Sequence, residues 1–249
     1  MRVVRAVVGT VGELAITAGV LLLLFVVWEL GVVGFTTNRA QAATVDTLER
    51  QFALPTPTTP STPSTTSTSS PTDTPTASPT TSAAVPVPPP GDAFAILRIP
   101  RLGASWAKPV YQGVGLDVLA KGIGHYPDTQ LPGQVGNAAF AGHRAGHGNP
   151  LIDIDTIRPG DAIVVETADT YVIYRADRSE IVPPTDVNVL APVPDQPGVA
   201  PTEAWLTLTS CEPKYGSTNR FIVFAKLDHS VPRAQGLPAD VLAPPGGNG

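Results

Sequence analysis

The stretch Trp205-Leu206-Thr207-Leu208-Thr209-Ser210-Cys211, followed after a short gap by Arg220-Phe221-Ile222-Val223-Phe224, decides how this chain folds. Side chains alternate across a β-strand with period two, so Leu206 and Leu208 share one face, while Trp205, Thr207, Thr209 and Cys211 share the other. Glu212-Pro213 turns the first strand out, and Lys214-Tyr215-Gly216-Ser217-Thr218-Asn219 reads as a hairpin loop. In an antiparallel pair the end of one strand lies beside the start of the next. Cys211 and Arg220 are therefore predicted neighbours at one rim of a sheet.

Working outward, similar short runs recur at 94–99, 137–141, 162–167 and 171–175, with 204–210 and 221–227 from the hairpin itself. They are rich in β-branched and aromatic residues and punctuated by Gly, Pro and Asp. Helical signals are weak: 116–121 and 151–157 would each give a turn or two. Short strands without alternating long helices predict an all-β domain, an antiparallel barrel or sandwich, over residues 92–230.

The flanks are of other kinds. Arg2 and Arg5 precede an apolar stretch over 14–35, interrupted only by Glu29. At about 1.5 Å per residue, about 20 such residues cross a hydrocarbon core of about 30 Å. The reading is a cytoplasmic N-terminus and a single anchor helix within 1–40, with everything beyond exported to the outside of the cell membrane. A cleavable signal peptide competes, because Ala40-Gln41-Ala42 has the small-x-small form, but the apolar run exceeds a usual h-region and the site lies past its end. Residues 41–91 are dominated by Pro, Ser and Thr and read as a disordered extracellular linker, and 231–249 as a flexible tail.

Composition narrows the chemistry. The chain has 249 residues, a net charge of −5 and no basic stripe, which argues against nucleic acid as a partner. One cysteine excludes an intrachain disulfide framework, and with four scattered histidines it excludes a cysteine-rich zinc module. Asp153 and Asp155 read as solvated loop acids, so no metal and no cofactor is expected.

A lone thiol in an exported domain is either buried or reactive. Beside it, Arg220 would lower the cost of a thiolate and donate hydrogen bonds to an oxyanion at an attacked carbonyl. Resolving an acyl-enzyme also needs a proton shuttle, usually histidine. His143 and His125 both lie near strand ends, while His147, in a glycine-rich loop, and His229 read as solvated. Pattern alone does not separate His143 from His125.

Three ordered motifs resemble the sortase family, specifically the class E group of high-GC Gram-positive bacteria. They are Gly124-His125-Tyr126-Pro127 with Leu131-Pro132-Gly133, then Gly136-Asn137-Ala138-Ala139-Phe140-Ala141-Gly142-His143-Arg144, then Thr207-Leu208-Thr209-Ser210-Cys211 followed by Arg220. The likeness covers 92–228. It implies a closed β-barrel of about eight strands with short helices, Cys211 as nucleophile, His143 as general acid/base and Arg220 as the oxyanion or substrate arginine. His125 becomes a neighbour of the site. Tyr126 falls on a tyrosine associated with choosing alanine over proline, and Thr209 and Ser210 fall on the substrate-binding stretch.

The implied partners are secreted proteins with a C-terminal Leu-Ala-x-Thr-Gly or Leu-Pro-x-Thr-Gly signal and a cell-wall precursor amine of the lipid II type. Ser210 stands where the family usually has threonine. Glu212 would oppose thiolate formation unless Arg220 or Lys214 pairs with it. Alternatives are an L,D-transpeptidase-like peptidoglycan enzyme, a hydrolytic cysteine protease, a pilin-polymerising sortase, and an inactive membrane-tethered binding module.

Overall fold

In the computed structural model, which describes residues 2–28, 34–54 and 87–242, two helices precede the sheet: α1 (Arg2–Val27) and α2 (Gly34–Ala53). The strands are β1 (Ala93–Arg98), β2 (Ala107–Gln112), β3 (Ile123–His125), β4 (Gly136–Ala141), β5 (Ala162–Glu166), β6 (Thr170–Val182), β7 (Ala204–Glu212) and β8 (Asn219–Pro232). Helix α3 (Leu116–Leu119) lies between β2 and β3, and α4 (Ala239–Leu242) follows β8.

The eight strands close in the order β1-β2-β3-β4-β7-β8-β6-β5. The expected barrel is thus present, but it is not wholly antiparallel: β2–β3 and β4–β7 are parallel pairs. A parallel neighbour needs a crossover. The β4–β7 pair obtains one by letting the long β5–β6 hairpin intervene before the chain returns.

The period-two pattern accounts for the two sides of the wall. Leu206 and Leu208 of β7 face inward with Phe140 of β4 and Val223 of β8, buried beside Leu97, Ile163 and Tyr174. On the outer side Trp205, Ile222 and Phe224 form a second cluster with Val182 and Val189, under the connection from β6 to β7. Asn137, fully buried, ties that connection down: its Nδ2 donates to the carbonyls of Val189 and Ala191 at 3.1 and 3.0 Å, and its Oδ1 accepts from Thr207 Oγ1 at 2.8 Å. A buried amide left without these partners would cost about 1–3 kcal/mol.

Two expectations about the flanks change, while an apolar helix within 1–40 is present as expected. The anchor window lies at Gly9–Val26, within α1, a stretch long and apolar enough to span a bilayer and not buried in the protein. Residues 41–53 are not linker. They belong to α2, whose Gln41, Val45 and Leu48 are buried on one face at helical spacing, with Val45 and Leu48 against Ile96 of β1. Burying these two apolar side chains contributes about 1.5–3 kcal/mol each, and Glu49 adds an ion pair to Arg98. The rest of the expected linker, 55–86, lies outside the described residues.

Finally, the tail is structured as far as residue 242. Val241 of α4 is buried against Ala162, Val164 and Ile173, and Arg233 pairs with buried Glu166 while lying over Phe52 and Tyr171. Residues 243–249 lie outside the described part.

Candidate active site

The register of three adjacent strands builds the site. Antiparallel pairing sets Cys211 of β7 directly opposite Arg220 of β8, so both side chains leave the same, outer face of the wall. On the other side of β7, parallel β4 runs in the register Ala139↔Thr207 and Ala141↔Thr209. Gly142 continues the ladder by donating its N–H to the Thr209 carbonyl at 3.1 Å. Two more residues along that register bring His143 level with Cys211. Neighbouring strands lie about 4.8 Å apart, so continuing that register past the end of β4 at Ala141 sets His143 on the flank of the thiol away from Arg220. Cys211, His143 and Arg220 are all half-buried, at the rim rather than sealed inside.

Arg220 and His143 are each held by named contacts. Arg220 Nη1 donates to the carbonyls of Ser217 and Asn219 at 3.0 and 2.9 Å, which fixes the guanidinium against its own hairpin loop. The His143 carbonyl accepts from Leu151 N–H at 3.0 Å. Its imidazole stacks on His147, with ring centroids 4.6 Å apart and planes inclined by 28°. Burial, and secondarily the His147 charge, hold His143 below the ordinary imidazole value of 6.5. Both effects favour the neutral imidazole.

Glu212 is partnered, but not by Arg220 or Lys214. Arg144, only 3% exposed, pairs with Glu212, and its Nη1 donates to the Cys211 carbonyl at 3.4 Å. Its Nη2 lies 2.9 Å from Asp155 Oδ1 in an ion pair without hydrogen-bond alignment. Lys214 is taken by Asp153 at 2.8 Å. The carboxylate beside the thiol is therefore neutralised from behind by the residue that follows His143. In the sequence Arg144 is visible only as the residue after His143; its pairing with Glu212 depends on the β4–β7 register, which local pattern does not carry.

The other predicted residues divide by face. Tyr126 is half-buried, and its hydroxyl lies 3.4 Å from Thr209 Oγ1 on the outer side. It lines a cavity of about 480 Å³ with Val187, Leu190, Pro192 and Pro197 from the β6–β7 connection. Ser210 does not face this cavity. Period two turns it inward with Leu208, and its hydroxyl donates to the Gly142 carbonyl at 2.9 Å, tying β7 to the segment that carries His143.

His125 is likewise not a neighbour of the thiol. It pairs with core-facing Phe140 and sits edge-on to Phe94 and Phe140 inside the barrel. Its Nδ1 is 2.7 Å from Gln112 Oε1, and its Nε2 is 2.9 Å from the Gln130 carbonyl. Among the described residues no group of three or more His, Cys, Asp or Glu is disposed to hold a metal ion.

A closed barrel presenting a cysteine, a histidine and an arginine at its rim has the parts of a cysteine-dependent acyl-transfer enzyme. The Sortase domain family profile matches residues 97–228. Sortase SrtE1 of Streptomyces coelicolor is 40% identical over 157 residues, which are 60% of this chain and 44% of that protein. The chain thus spans less than half the length of SrtE1. Sortase SrtE2 of the same organism is 30% identical over 235 residues, 91% of this chain and 84% of that protein. The solved structure of sortase E from Streptomyces avermitilis aligns with a TM-score of 0.57 at 43% identity, covering 61% of this chain and 99% of that one. The chain belongs to the sortase family, a family of cysteine-dependent transpeptidases.

Proposed function

We propose that this chain is a membrane-anchored sortase that cleaves a Leu-Ala-x-Thr-Gly or Leu-Pro-x-Thr-Gly sorting signal between Thr and Gly and transfers the new carboxyl end to a cell-wall amine. The observation that carries the reading is the pairing of Cys211 with Arg220 at the half-buried rim of β7 and β8, with His143 in the segment that leaves the parallel neighbour β4 just past its last ladder bond to β7.

Neutral His143 takes the Cys211 thiol proton, and the resulting thiolate attacks the threonine carbonyl carbon. Arg220 donates to the resulting oxyanion through the guanidinium N–H groups other than those given to Ser217 and Asn219. The C–N bond to glycine breaks as protonated His143 gives its proton to the departing amine, leaving a thioester on sulfur. An acceptor amine then attacks that carbonyl, loses its proton to neutral His143, and the Cys211 thiolate leaves. The depressed affinity of His143 for protons favours this second role at neutral pH.

The cavity between Tyr126 and the β6–β7 connection is largely apolar, which suits the leucine and the alanine or proline of the signal. Arg2 and Arg5, at the start of α1 and ahead of its apolar window Gly9–Val26, favour a cytoplasmic N-terminus, so the barrel stands outside the membrane, where secreted signals and a lipid II-type amine meet it.

The test offers peptides with each signal to the purified chain, with and without an amine acceptor. The expected result is acceptor-dependent product joined at threonine. Hydrolysis that added amine does not divert would contradict transfer, and an inert chain would contradict catalysis altogether.

A further inference from the structure

Helix α2, which the sequence alone left inside a linker, reaches the loop that carries His143. The buried Gln41 donates its Nε2–H to the His147 carbonyl at 3.1 Å, and its Oε1 accepts from Lys108 Nζ of β2 at 2.7 Å. Lys108 Nζ also donates to Asn38 Oδ1 at 2.8 Å. A Cβ on Gly148 would come 2.9 Å from Asn38 Oδ1, so the helix abuts the loop backbone here.

The loop needs such a support. Gly146, His147, Gly148 and Asn149 are all left-handed, at φ +83, +50, +78 and +51°, and two of these four are not glycine. Non-glycine residues hold such angles only when their surroundings dictate them. The Gly146 N–H donates to Asn149 Oδ1 at 2.6 Å, the Asn149 N–H donates to the Gly146 carbonyl at 2.9 Å, and Gln41 fixes the His147 carbonyl from outside. This reversal brings the His147 ring back flat onto His143.

We propose that Gln41 and His147 are positioning residues of the transfer reaction: the helix nearest the membrane anchor locks the His147 backbone, and the His147 ring fixes the plane of the His143 imidazole toward Cys211. This rests on the proton-carrier role of His143 given above. The charged and titratable groups nearest that imidazole on the elements about it are Cys211 and Glu212 on β7, Arg220 on β8, and Arg144 and His147 in its own loop. Lys108 on β2 stands behind Gln41. The consequence is that α2 is part of the catalytic apparatus, and the active histidine is braced by the segment that links the barrel to the membrane.

The experiment uses the full chain in detergent micelles, a Leu-Ala-x-Thr-Gly peptide and an amine acceptor. Gln41→Glu keeps the acceptor for Lys108 but removes the donor to His147. It should lower the melting temperature modestly, with the protein still folded at assay temperature, and lower kcat about tenfold, the rate equivalent of one lost hydrogen bond, with KM little changed. His147→Ala should lower kcat similarly, and His147→Phe, which retains a flat ring, should restore it.

His143→Ala separates this inference from the reading beneath it. If His143→Ala abolishes transfer while Gln41→Glu and His147→Ala keep wild-type kcat in the folded protein, the brace is refuted and the proposed function stands. If His143→Ala retains transfer, the proton-carrier role fails and the brace with it. Equal loss in His147→Ala and His147→Phe would overturn positioning by the ring.

Discussion

The inner and outer faces of strands β3, β4, β7 and β8 carry two histidines that differ by the side of the wall they leave from. His125 leaves β3 inward, between Phe94 and Phe140, with both ring nitrogens close to polar partners. His143 follows β4 on the outer side, level with the thiol and stacked only on another imidazole. Both are held below the ordinary imidazole value chiefly by burial. What separates His125 from the proposed proton carrier His143 is not protonation but parity: one residue's shift along a strand exchanges the faces.

The widest contrast is expected outside. Arg220→Ala removes an oxyanion donor without touching the inner packing. It should reduce kcat/KM for peptide-to-amine transfer by about 10²–10³, equivalent to about 2.7–4 kcal/mol, with a nearly unchanged melting temperature. Activity within a few-fold of wild type would remove Arg220 from the reaction.

At the seam between the faces, Arg144→Ala should affect both properties. It strips the charge partner from Glu212 and Asp155 at an almost fully buried position. Urea unfolding should show a loss of about 3 kcal/mol, the low end for a broken buried pair because both carboxylates retain solvent. Transfer activity in the remaining folded enzyme should also fall, since Glu212 is then left charged beside Cys211. A purely catalytic defect with full stability would contradict this placement.

The smallest effect belongs to the interior. The folded-state pKa of His125 is lowered by burial, opposed by its hydrogen bond to the Gln130 carbonyl. A histidine that binds its proton less well in the folded state favours folding fully above the unfolded value of about 6.5. That contribution declines as pH falls through 6.5 toward the lower folded value. Urea midpoints should therefore drop on acidification over that range, and His125→Gln should flatten the drop while sparing transfer activity. An unaltered pH slope in His125→Gln would show that other groups carry the dependence.

How far the sequence reveals these differences depends on the length of the pattern. The β7–β8 hairpin spans enough alternating residues to predict that Cys211 and Arg220 are partners, and the register agrees. In β4, Phe140 marks the inward parity, which leaves Ala141 and His143 outward, a signal the sequence contains but spacing alone did not exploit. By contrast β3 has three residues, one of them glycine, and β2 contains Pro109, so neither shows a strand pattern. Helix α2 escaped notice because one of its three buried residues, Gln41, is polar and the rest of the helix is mostly solvated. Ser210 belongs to the motif by position, but its parity turns it away from the outer face to Gly142.

Intact-mass spectrometry of the full chain, mixed with a Leu-Ala-x-Thr-Gly peptide and no acceptor amine, tests the central claim most directly. The wild type should gain the mass of the peptide up to threonine, and hydroxylamine should release that adduct as expected of a thioester. Arg220→Ala should accumulate it slowly and Cys211→Ala not at all. An adduct of the same mass on Cys211→Ala, or peptide cleavage by the wild type that persists in Cys211→Ala, would contradict the account.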